Sequence, residues 1–220
     1  KPLALMVGDL ATARALCELT PEHEALLQSP EKPVVLCPRR SAPQHAAITK
    51  NDAVYLPDEV APDTSKIGIM LAYTPLHAVL FSRLAECAPL PPVLVMTSAN
   101  AGGEPICLGN REALARLAHL ADAWLLHDRD ILVRVDDSVV TLQPRLPGTD
   151  AHSTSAHDIS APASQLAEPL FYRRARGYVP RPVFLPKAEQ NAPCVLGTGA
   201  ELKATICLTR GAEAFVGQHI

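Results

Sequence analysis

The chain has 220 residues, of which 48% are hydrophobic and 20% are charged, and its formal net charge at pH 7 is −3. This composition excludes wholesale disorder, and the near balance of acidic and basic residues excludes a global electrostatic attraction to nucleic acid. No apolar run approaches the roughly 20 residues that cross a bilayer, so we expect a cytoplasmic protein with neither a membrane nor a nucleic acid as its partner.

Six cysteines are spread along the sequence without a C-x-x-C pair. Zinc knuckles and redox dithiols need closely spaced cysteines, so this spacing disfavours both. We expect the thiols to be reduced and mostly buried.

The part of the chain up to residue 121 alternates between apolar runs and segments with helical periodicity. Strands are predicted at residues 2–6, 33–40, 67–73 and 91–100, and helices at residues 10–19, 21–29, 75–86 and 110–121. Thr20-Pro21 and Thr74-Pro75 are typical of helix starts, and Asn110 is expected to cap the last of these helices. Alternating strands and helices indicate an α/β sheet with helices packed on it.

The rest of the chain is less regular. Residues 122–129 and 138–144 are predicted strands, and residues 145–168, rich in Ser, Ala and Pro, are a predicted exposed loop. An apolar strand with several arginines follows, then a proline-bearing linker, and from Cys194 two or three short strands joined by glycine turns. We expect two domains, residues 1–186 and residues 187–220, the second being a linker and the beginning of a further domain.

The segment "MTSANAGGEPI", residues 96–106, follows an apolar run and is the first candidate site. In an extended segment, Ser98 and Asn100 would point to the same side, and Gly102 and Gly103 would let the backbone approach a ligand. Short polar side chains where a strand ends are typical of places that hold phosphates or carboxylates. The alternative is a local turn in which these side chains satisfy only the backbone.

A second candidate is the segment "HDRDILVRVDDSVV" at residues 127–140. Asp136 and Asp137, beside Arg134, suit either Mg²⁺ near phosphates or an ion pair that orients Arg134 toward an anion. A solvated hairpin with surface ion pairs is the alternative.

Two further segments offer groups that bind anions. Three arginines of "YRRARGYVPR", Arg173, Arg174 and Arg176, could clamp phosphates, and the alternative is a basic strand edge that blocks sheet pairing. His77 lies in the first turn of a predicted helix, where the N-terminus favours an anion, although a lone histidine there is more often structural.

Near the end of the sequence, "GTGAELKAT" joins a glycine turn that includes Gly199 to Lys203. It resembles the β-hairpin phosphate loops of actin-like ATPases more than a P-loop, because the G-x-x-x-x-G-K-[ST] pattern is absent. A plain hairpin turn is the alternative.

Taken in order, these segments resemble the HypF family of hydrogenase-maturation carbamoyltransferases. The segments that carry the resemblance are "KPLALM", "YTPLHAVL", "VMTSANAGGEPI", "HDRDILVRVDDSVV", "RRARGYVPRPV" and "GTGAELKATICL" followed by "GQHI". The resemblance implies an α/β fold with a YrdC-type twisted, open, mixed sheet and flanking helices. It also implies that the N-terminal β fragment of an actin-like carbamoyl-transfer domain follows.

The resemblance further implies an activity. Carbamate derived from carbamoyl phosphate would attack the α-phosphate of ATP to give carbamoyl adenylate and pyrophosphate, and the carbamoyl group would pass to the C-terminal cysteine of the protein HypE. ATP with Mg²⁺ is the implied cofactor, and zinc is implied only in a region upstream of this chain. Positioning and charge neutralisation would supply most of the catalysis.

Residue roles follow from the matching motifs. Catalytic roles are assigned to Ser98, Asn100, Arg134 and His77, the last as a contact to carbamate or carbamoyl phosphate. Nucleotide or phosphate contacts are assigned to Lys1, Thr97, Ser98, Asn100, Asp137, Ser138, Arg173, Arg174 and Arg176, without a choice among the three arginines. Lys1 would end a basic K-x-R…K-P segment, and Gly199 and Lys203 would form the phosphate loop of the second domain. The turn after Val95 and the arginines near Gly177 are expected to converge on one phosphate chain.

Two other functions stay open at this point. An antibiotic O-carbamoyltransferase has both domains and acts on a small-molecule hydroxyl, and a threonylcarbamoyl-adenylate synthase for tRNA modification has the first fold. Residues 193–220, which resemble the start of the actin-like domain, argue against the tRNA enzyme. The balance of 20 basic and 23 acidic residues argues against a double-stranded RNA-binding module.

Overall fold

The computed structural model of the chain describes residues 2–40, 56–87, 90–143, 167–185, 192–199 and 205–218. Most of the predicted loop, residues 145–166, lies outside the described residues. The chain forms two compact units, one of Lys1–Met96 with Asp137–Gly177 and the other of Thr97–Asp136 with Tyr178–Ile220. The assignment of residues 1–186 and 187–220 to two domains stays a prediction.

A six-stranded sheet forms the centre of the first unit. Its strands are β1 (Ala4–Val7), β2 (Val34–Pro38), β3 (Lys66–Leu71), β4 (Val93–Met96), β5 (Val139–Gln143) and β6 (Glu168–Arg173), in the order β4-β1-β3-β2-β5-β6. The β1–β3 and β2–β5 pairs are parallel, and the other neighbouring pairs are antiparallel. The sheet is therefore mixed and open, as the resemblance to the HypF family implies.

The described part of this unit also contains the helices α1 (Leu10–Leu16), α2 (Pro21–Gln28) and α3 (Pro75–Cys87). Their N-termini are capped by side chains: Asp9 Oδ1 accepts the Thr12 N–H at 2.7 Å, Thr20 Oγ1 the His23 N–H at 3.4 Å, and Thr74 Oγ1 the His77 N–H at 3.1 Å. The predicted starts at Thr20-Pro21 and Thr74-Pro75 are thus confirmed. None of the described helices is long and apolar enough to cross a membrane.

Apolar side chains cover both faces of this sheet. On β3, Ile67, Ile69 and Leu71 pack in the core that includes side chains of α1 and α2, whereas Met70 packs with Phe81 of α3. Successive residues of a strand point to opposite faces, so a strand buried on both faces needs a continuous apolar run. The run "IGIML" in β3 meets that need.

All six cysteines are free thiols, but only some of them are buried. Cys17, Cys37 and Cys107 are buried, whereas Cys87 and Cys194 are exposed, so the expectation of mostly buried thiols holds only for the first group. A hydrogen bond with the Cys17 thiol, together with burial, raises the pKa of Cys37. The Cys37 thiol therefore stays protonated, and an unreactive thiol results.

The second unit contains α4 (Asn110–Leu117) and a four-stranded antiparallel sheet. Its strands are β7 (Val183–Phe184), β8 (Leu196–Gly197), β9 (Cys207–Arg210) and β10 (Glu213–Val216), in the order β7-β10-β9-β8. Gly211 lies in the turn between β9 and β10 with a φ of 57°, a conformation that favours glycine. The short strands predicted after Cys194 are confirmed.

Two expectations for the second unit are wrong. Residues 122–129, a predicted strand, form no strand, because no strand of the described residues pairs with them. The N-cap of α4 is Gly109 rather than Asn110. Asn110 instead donates its side-chain N–H to the His127 carbonyl at 2.7 Å.

Candidate functional site

Four strand ends lie side by side along one edge of the six-stranded sheet. This edge is formed by the ends of strands and not by an outer strand. Leu71 ends β3, Val34 begins β2, Val139 begins β5 and Arg173 ends β6. The register sets these ends side by side, since Val34 pairs with Val139 and Val139 with Arg173. The loops at this edge therefore come from segments that are far apart in the sequence.

Arg176 lies among these loops. Its Nε donates to Asp137 Oδ1 at 2.9 Å, its Nη1 to the Glu31 carbonyl at 3.0 Å and its Nη2 to the Lys32 carbonyl at 2.8 Å. The guanidinium also stacks on Tyr73, with Cζ 3.8 Å from the ring centroid. Each nitrogen atom of this predicted phosphate contact thus donates to an acceptor in its own unit.

Asp137 and Ser138, also predicted phosphate contacts, are tied to the same segment. Ser138 is fully buried, donates to the Arg176 carbonyl at 2.9 Å and accepts the Ala175 N–H at 2.8 Å. Asp137 is the ion-pair partner of Arg176, and its side chain is 40% exposed. Arg173 donates to the Asp137 carbonyl at 3.5 Å. Ser138 therefore serves the fold, and its contact with a ligand stays a prediction.

Arg174 is half-buried in the same segment, as is Arg173. Phosphate contacts of both residues stay predictions.

Tyr73 and His77 lie at the start of α3, beside Arg176. Their rings meet edge to face with centroids 4.7 Å apart, and His77 Nδ1 accepts the Tyr73 N–H at 3.5 Å. Burial, and then the charge of Arg176, lowers the pKa of His77, while burial and the nearby Asp137 raise the pKa of Tyr73. A neutral His77 whose Nδ1 accepts a hydrogen bond keeps its proton on Nε2, from which it can donate to a ligand oxygen.

The turn after β4 begins at a different edge of the sheet. Met96 pairs with Ala4, the first residue of β1, and β1 runs parallel to β3. The carboxyl end of β4 is therefore at the edge opposite the end of β3 that leads to Tyr73. The turn itself, in Thr97–Asp136, belongs to the second unit. The sheet by itself does not bring this turn to Arg176, and their expected convergence on one phosphate chain stays a prediction.

Within this turn, Ser98 and Asn100 are bonded to each other and to the backbone. Ser98 Oγ donates to Asn100 Oδ1, and Asn100 Nδ2 donates to the carbonyls of Ala101 at 3.0 Å and Glu104 at 2.8 Å. Thr97 is exposed at the start of the turn. This arrangement is the local turn that the sequence allows as an alternative, and the phosphate contacts of these residues stay predictions.

Arg134 is held by the backbone of the second unit. Its Nε donates to the Ile106 carbonyl at 2.6 Å, and its own carbonyl accepts a hydrogen bond from Gln218 Nε2 at 2.9 Å. These bonds join the end of the turn, the segment before Asp136 and the residues after β10. A catalytic role of Arg134 stays a prediction.

The described residues do not form a metal site made of protein ligands alone. Among them, no group of three or more His, Cys, Asp or Glu side chains could hold a metal ion. Asp137 is paired with Arg176, and Asp136 is half-buried beside it in the sequence. A Mg²⁺ ion bound by one or two carboxylates and by substrate phosphates would not need such a group, and the role of Asp136 and Asp137 as its ligands stays a prediction.

The predicted second-domain phosphate loop is only partly within the described residues. Gly199 is exposed shortly after β8, whereas Lys203 lies outside the described residues, as does Lys1. The phosphate contacts of these residues stay predictions.

Sequence reasoning did not find the acceptors that hold Arg176. They are the carbonyls of Glu31 and Lys32, in a turn where Lys32 has a φ of 44°. Backbone carbonyls carry no side-chain signature, and only the two prolines that flank this turn indicate its position. Tyr73 lies close to His77 in the sequence, but its stacking on Arg176 could not be predicted because the two residues are distant in the sequence.

Residues 1–148 match the family model Sua5_yciO_yrdC, which is described as telomere recombination. The chain therefore belongs to the Sua5/YciO/YrdC family, and its mixed, open sheet with flanking helices is the YrdC-type fold. Over its whole length it is also homologous to HypF carbamoyltransferases.

The named relatives and a crystal structure make this similarity specific. The chain is 41% identical over 221 residues to the carbamoyltransferase HypF of Rhizobium leguminosarum bv. viciae and 42% identical over 228 residues to HypF2 of Cupriavidus necator. All of the chain is matched in both cases, and it spans 24% of the length of each relative. A crystal structure of full-length HypF in the phosphate- and nucleotide-bound form superposes with a TM-score of 0.74 at 34% identity, covering 100% of this chain and 28% of that one.

Proposed function

We propose that this chain forms carbamoyl adenylate from ATP and carbamate, as part of an ATP-dependent carbamoyltransferase of nickel–iron hydrogenase maturation. The observation that carries the proposal is the extent of the similarity to HypF. Identity of 41% spans the whole chain and continues beyond residue 148, where the family match ends. The related crystal structure, in its phosphate- and nucleotide-bound form, supports a nucleotide as the ligand.

The proposed chemistry has two steps. An oxygen of carbamate, derived from carbamoyl phosphate, attacks the α-phosphorus of ATP, the bond from that phosphorus to the bridging oxygen breaks, and pyrophosphate leaves. A thiolate then attacks the carbamoyl carbon of the carbamoyl adenylate, and AMP leaves with the electron pair. In-line displacement at phosphorus depends on positioning and on neutralisation of phosphate charge, which polar turns and arginines supply.

The turn of Thr97, Ser98 and Asn100 is proposed to bind the phosphates. Ser98 and Asn100 hydrogen-bond within the turn, so Asn100 would contribute chiefly by holding the following backbone N–H groups in place. Successive backbone N–H groups in a turn are typical anion-binding groups. Arg134 would neutralise charge that develops as pyrophosphate leaves.

The edge that carries His77 is proposed to bind the carbamoyl end of the reaction. The Nε2–H of His77 would donate to an oxygen of carbamate or carbamoyl phosphate, since His77 Nδ1 already accepts the Tyr73 N–H. Asp137, Ser138 and the arginines of residues 173–176 would shape this edge.

The proposed cofactor is ATP with Mg²⁺. Asp136 and Asp137 are the proposed ligands of a nucleotide-bound Mg²⁺, which would neutralise phosphate charge. Lys1 and the loop with Gly199 and Lys203 are further proposed phosphate contacts, and zinc is expected only outside this chain. The proposed carbamoyl acceptor is the C-terminal cysteine of HypE, and the proposed location is the cytoplasm.

A pyrophosphate assay tests this function. The gene product that carries this chain should release pyrophosphate from ATP only when carbamoyl phosphate is present. Formation of ADP and phosphate instead, or release that does not depend on carbamoyl phosphate, would overturn the proposal. The acceptor is identified by repeating the assay with HypE, with a small-molecule alcohol, or with threonine and bicarbonate as the second substrate. Pyrophosphate release stimulated by the alcohol would indicate an O-carbamoyltransferase, and release stimulated by threonine and bicarbonate would indicate a threonylcarbamoyl-adenylate synthase.

Asn100→Ala should lower the rate of pyrophosphate release by about 10- to 100-fold, as the loss of one preorganised group in a transition-state site typically does. The matched control is Asn110→Ala, which removes the hydrogen bond to the His127 carbonyl in α4 and should change the rate by about twofold or less. Equal rates of pyrophosphate release in wild type and Asn100→Ala would show that Asn100 takes no part in the site.

A further inference from the structure

The guanidinium of Arg176 is surrounded by its own protein. The side chain is 21% exposed, and Nε, Nη1 and Nη2 each donate to a different acceptor. An arginine that holds a phosphate bidentately offers it two parallel N–H groups along one edge of the plane. In Arg176 three of the five N–H groups, one on each nitrogen atom, already donate to a carboxylate or carbonyl of the chain.

The backbone around Arg176 is packed as closely as its side chain. Gly177 has a φ of 86°, and a Cβ at this position would lie 2.7 Å from the Glu31 Cα. Ser138 bonds both to the Arg176 carbonyl and to the Ala175 N–H. Residues 175–177 thus lie between the turn at residues 31–32 and the start of β5, with little room for displacement.

Tyr73 connects this packing to His77. Arg176 covers the Tyr73 ring at 3.8 Å, and the Tyr73 and His77 rings are in edge-to-face contact at 4.7 Å. The His77 ring also accepts the Tyr73 N–H. A shift of the guanidinium would therefore reach His77 through a single aromatic ring.

We infer that Arg176 is a positioning residue of the proposed active site and does not hold a substrate phosphate. It joins Asp137, Tyr73 and the turn at residues 31–32 into one edge, and through Tyr73 it sets the position of the His77 ring. The inference separates Arg176 from Arg173 and Arg174, which the sequence treats as equivalent. It rests on the proposed function for the identity of the phosphate ligand.

Stability provides the first test. Arg176→Lys keeps the charge without the planar set of donors, and Arg176→Gln removes both. In the gene product that carries this chain, both variants should lower the melting temperature by a similar amount, roughly 5 to 10 °C, because Asp137 and two carbonyls lose their donor. Arg111→Gln is the matched control, since Arg111 is exposed and has no hydrogen bond or ion pair within the described structure, and it should shift the melting temperature by about 1 °C or less.

Kinetics separate positioning from phosphate binding. Arg176→Lys should lower kcat for pyrophosphate release by about tenfold or more, with KM for ATP changed by less than about threefold. Tyr73→Leu should have the same effect, and the double variant should be no worse than the more damaged single variant, because both act through one path to His77. A rise in KM for ATP in Arg176→Gln that Arg176→Lys restores would mean that the charge meets a phosphate, and it would overturn the inference.

A spectroscopic measurement tests the positioning role of Arg176 independently of the proposed function. If wild type releases no pyrophosphate, the proposed function fails, and ¹⁵N NMR of the histidine rings still tests the positioning role. Arg176→Lys and Tyr73→Leu should shift the His77 ring resonances, whereas Arg111→Gln should not. Unchanged His77 resonances in Arg176→Lys would contradict the inference.

Discussion

The two compact units of this chain differ in how much of their apolar surface they bury. In the first unit, Val35 and Ile69 are 0% exposed, as is Val140. In the second, Leu125 is 70% exposed and Leu132 is 86% exposed. The two groups have similar side chains, so the difference comes from their surroundings.

Backbone pairing accounts for the difference. The apolar run of β2 is paired on one side with β3 and on the other with β5, which satisfies its N–H and carbonyl groups and lets it be buried. The run "ILVRV" at residues 131–135 has no strand pairing in the described structure. An apolar run in extended conformation is thus buried where neighbouring strands pair with it, and a contiguous exposed apolar run is typical of a surface that binds something.

The largest expected effect is on the core of the first unit. Ile69→Ala should lower the free energy of unfolding by about 2–5 kcal/mol, because it leaves a cavity in a core that cannot fully close. Leu132→Ala, at an exposed position of the second unit, should change it by less than about 0.5 kcal/mol. Urea unfolding of both variants measures this difference. Similar losses in the two variants would show that residue 132 is buried in solution and would remove the contrast between the units.

Helix capping is expected to give an intermediate effect. Asp9 caps α1 with its side chain, whereas α4 begins at Gly109 without a side-chain cap. Asp9→Ala should lower the free energy of unfolding by about 1 kcal/mol, and Gly109→Asn should raise it by roughly a few tenths of a kcal/mol. Gly109 has a φ of −93° and nothing within 4 Å of an added Cβ, so the substitution meets no steric obstacle. Thermal unfolding measures both, and a loss of stability in Gly109→Asn would contradict the assigned N-cap.

The smallest expected effect is a pH dependence from His23 in the first unit. Burial, and then the charge of Lys66, lowers the pKa of His23 below its usual 6.5. Below about pH 6.5 the unfolded chain binds a proton that the folded chain resists, so the free energy of unfolding should fall as the pH drops toward about 5.

Urea unfolding across this pH range tests the role of His23. His23 Nδ1 accepts the Thr20 N–H at 3.2 Å, so the two residues form a capping box at the start of α2. Gln also suits this third helical position, so His23→Gln should keep the helix start and flatten the fall in stability. His119→Gln, at an exposed position of the second unit, serves as the control for losing an imidazole. If the fall is the same in His23→Gln and wild type, His23 is not its cause.

The sequence predicted more of the fold than of the site. Apolar periodicity and Thr-Pro pairs act over a few neighbouring residues, so the strands of the first unit and the starts of α2 and α3 could be predicted from it. The candidate residues Ser98, Asn100 and Arg176 could be singled out as polar groups near strand ends. Their hydrogen-bond partners could not, because a partner depends on which segment lies alongside.

The contacts of Arg176 illustrate this limit. Its acceptor at Lys32 is 144 residues away in the sequence, and the acceptor at Asp137 is 39 residues away. The sequence by itself determined the order of the elements, the helix starts and the motifs that relate this chain to its family, because each of these is written in adjacent residues. Only the tertiary structure decided the strand order and the inward direction of the Arg176 guanidinium, because both follow from packing the whole sheet, in which every buried backbone and charged group must find a partner.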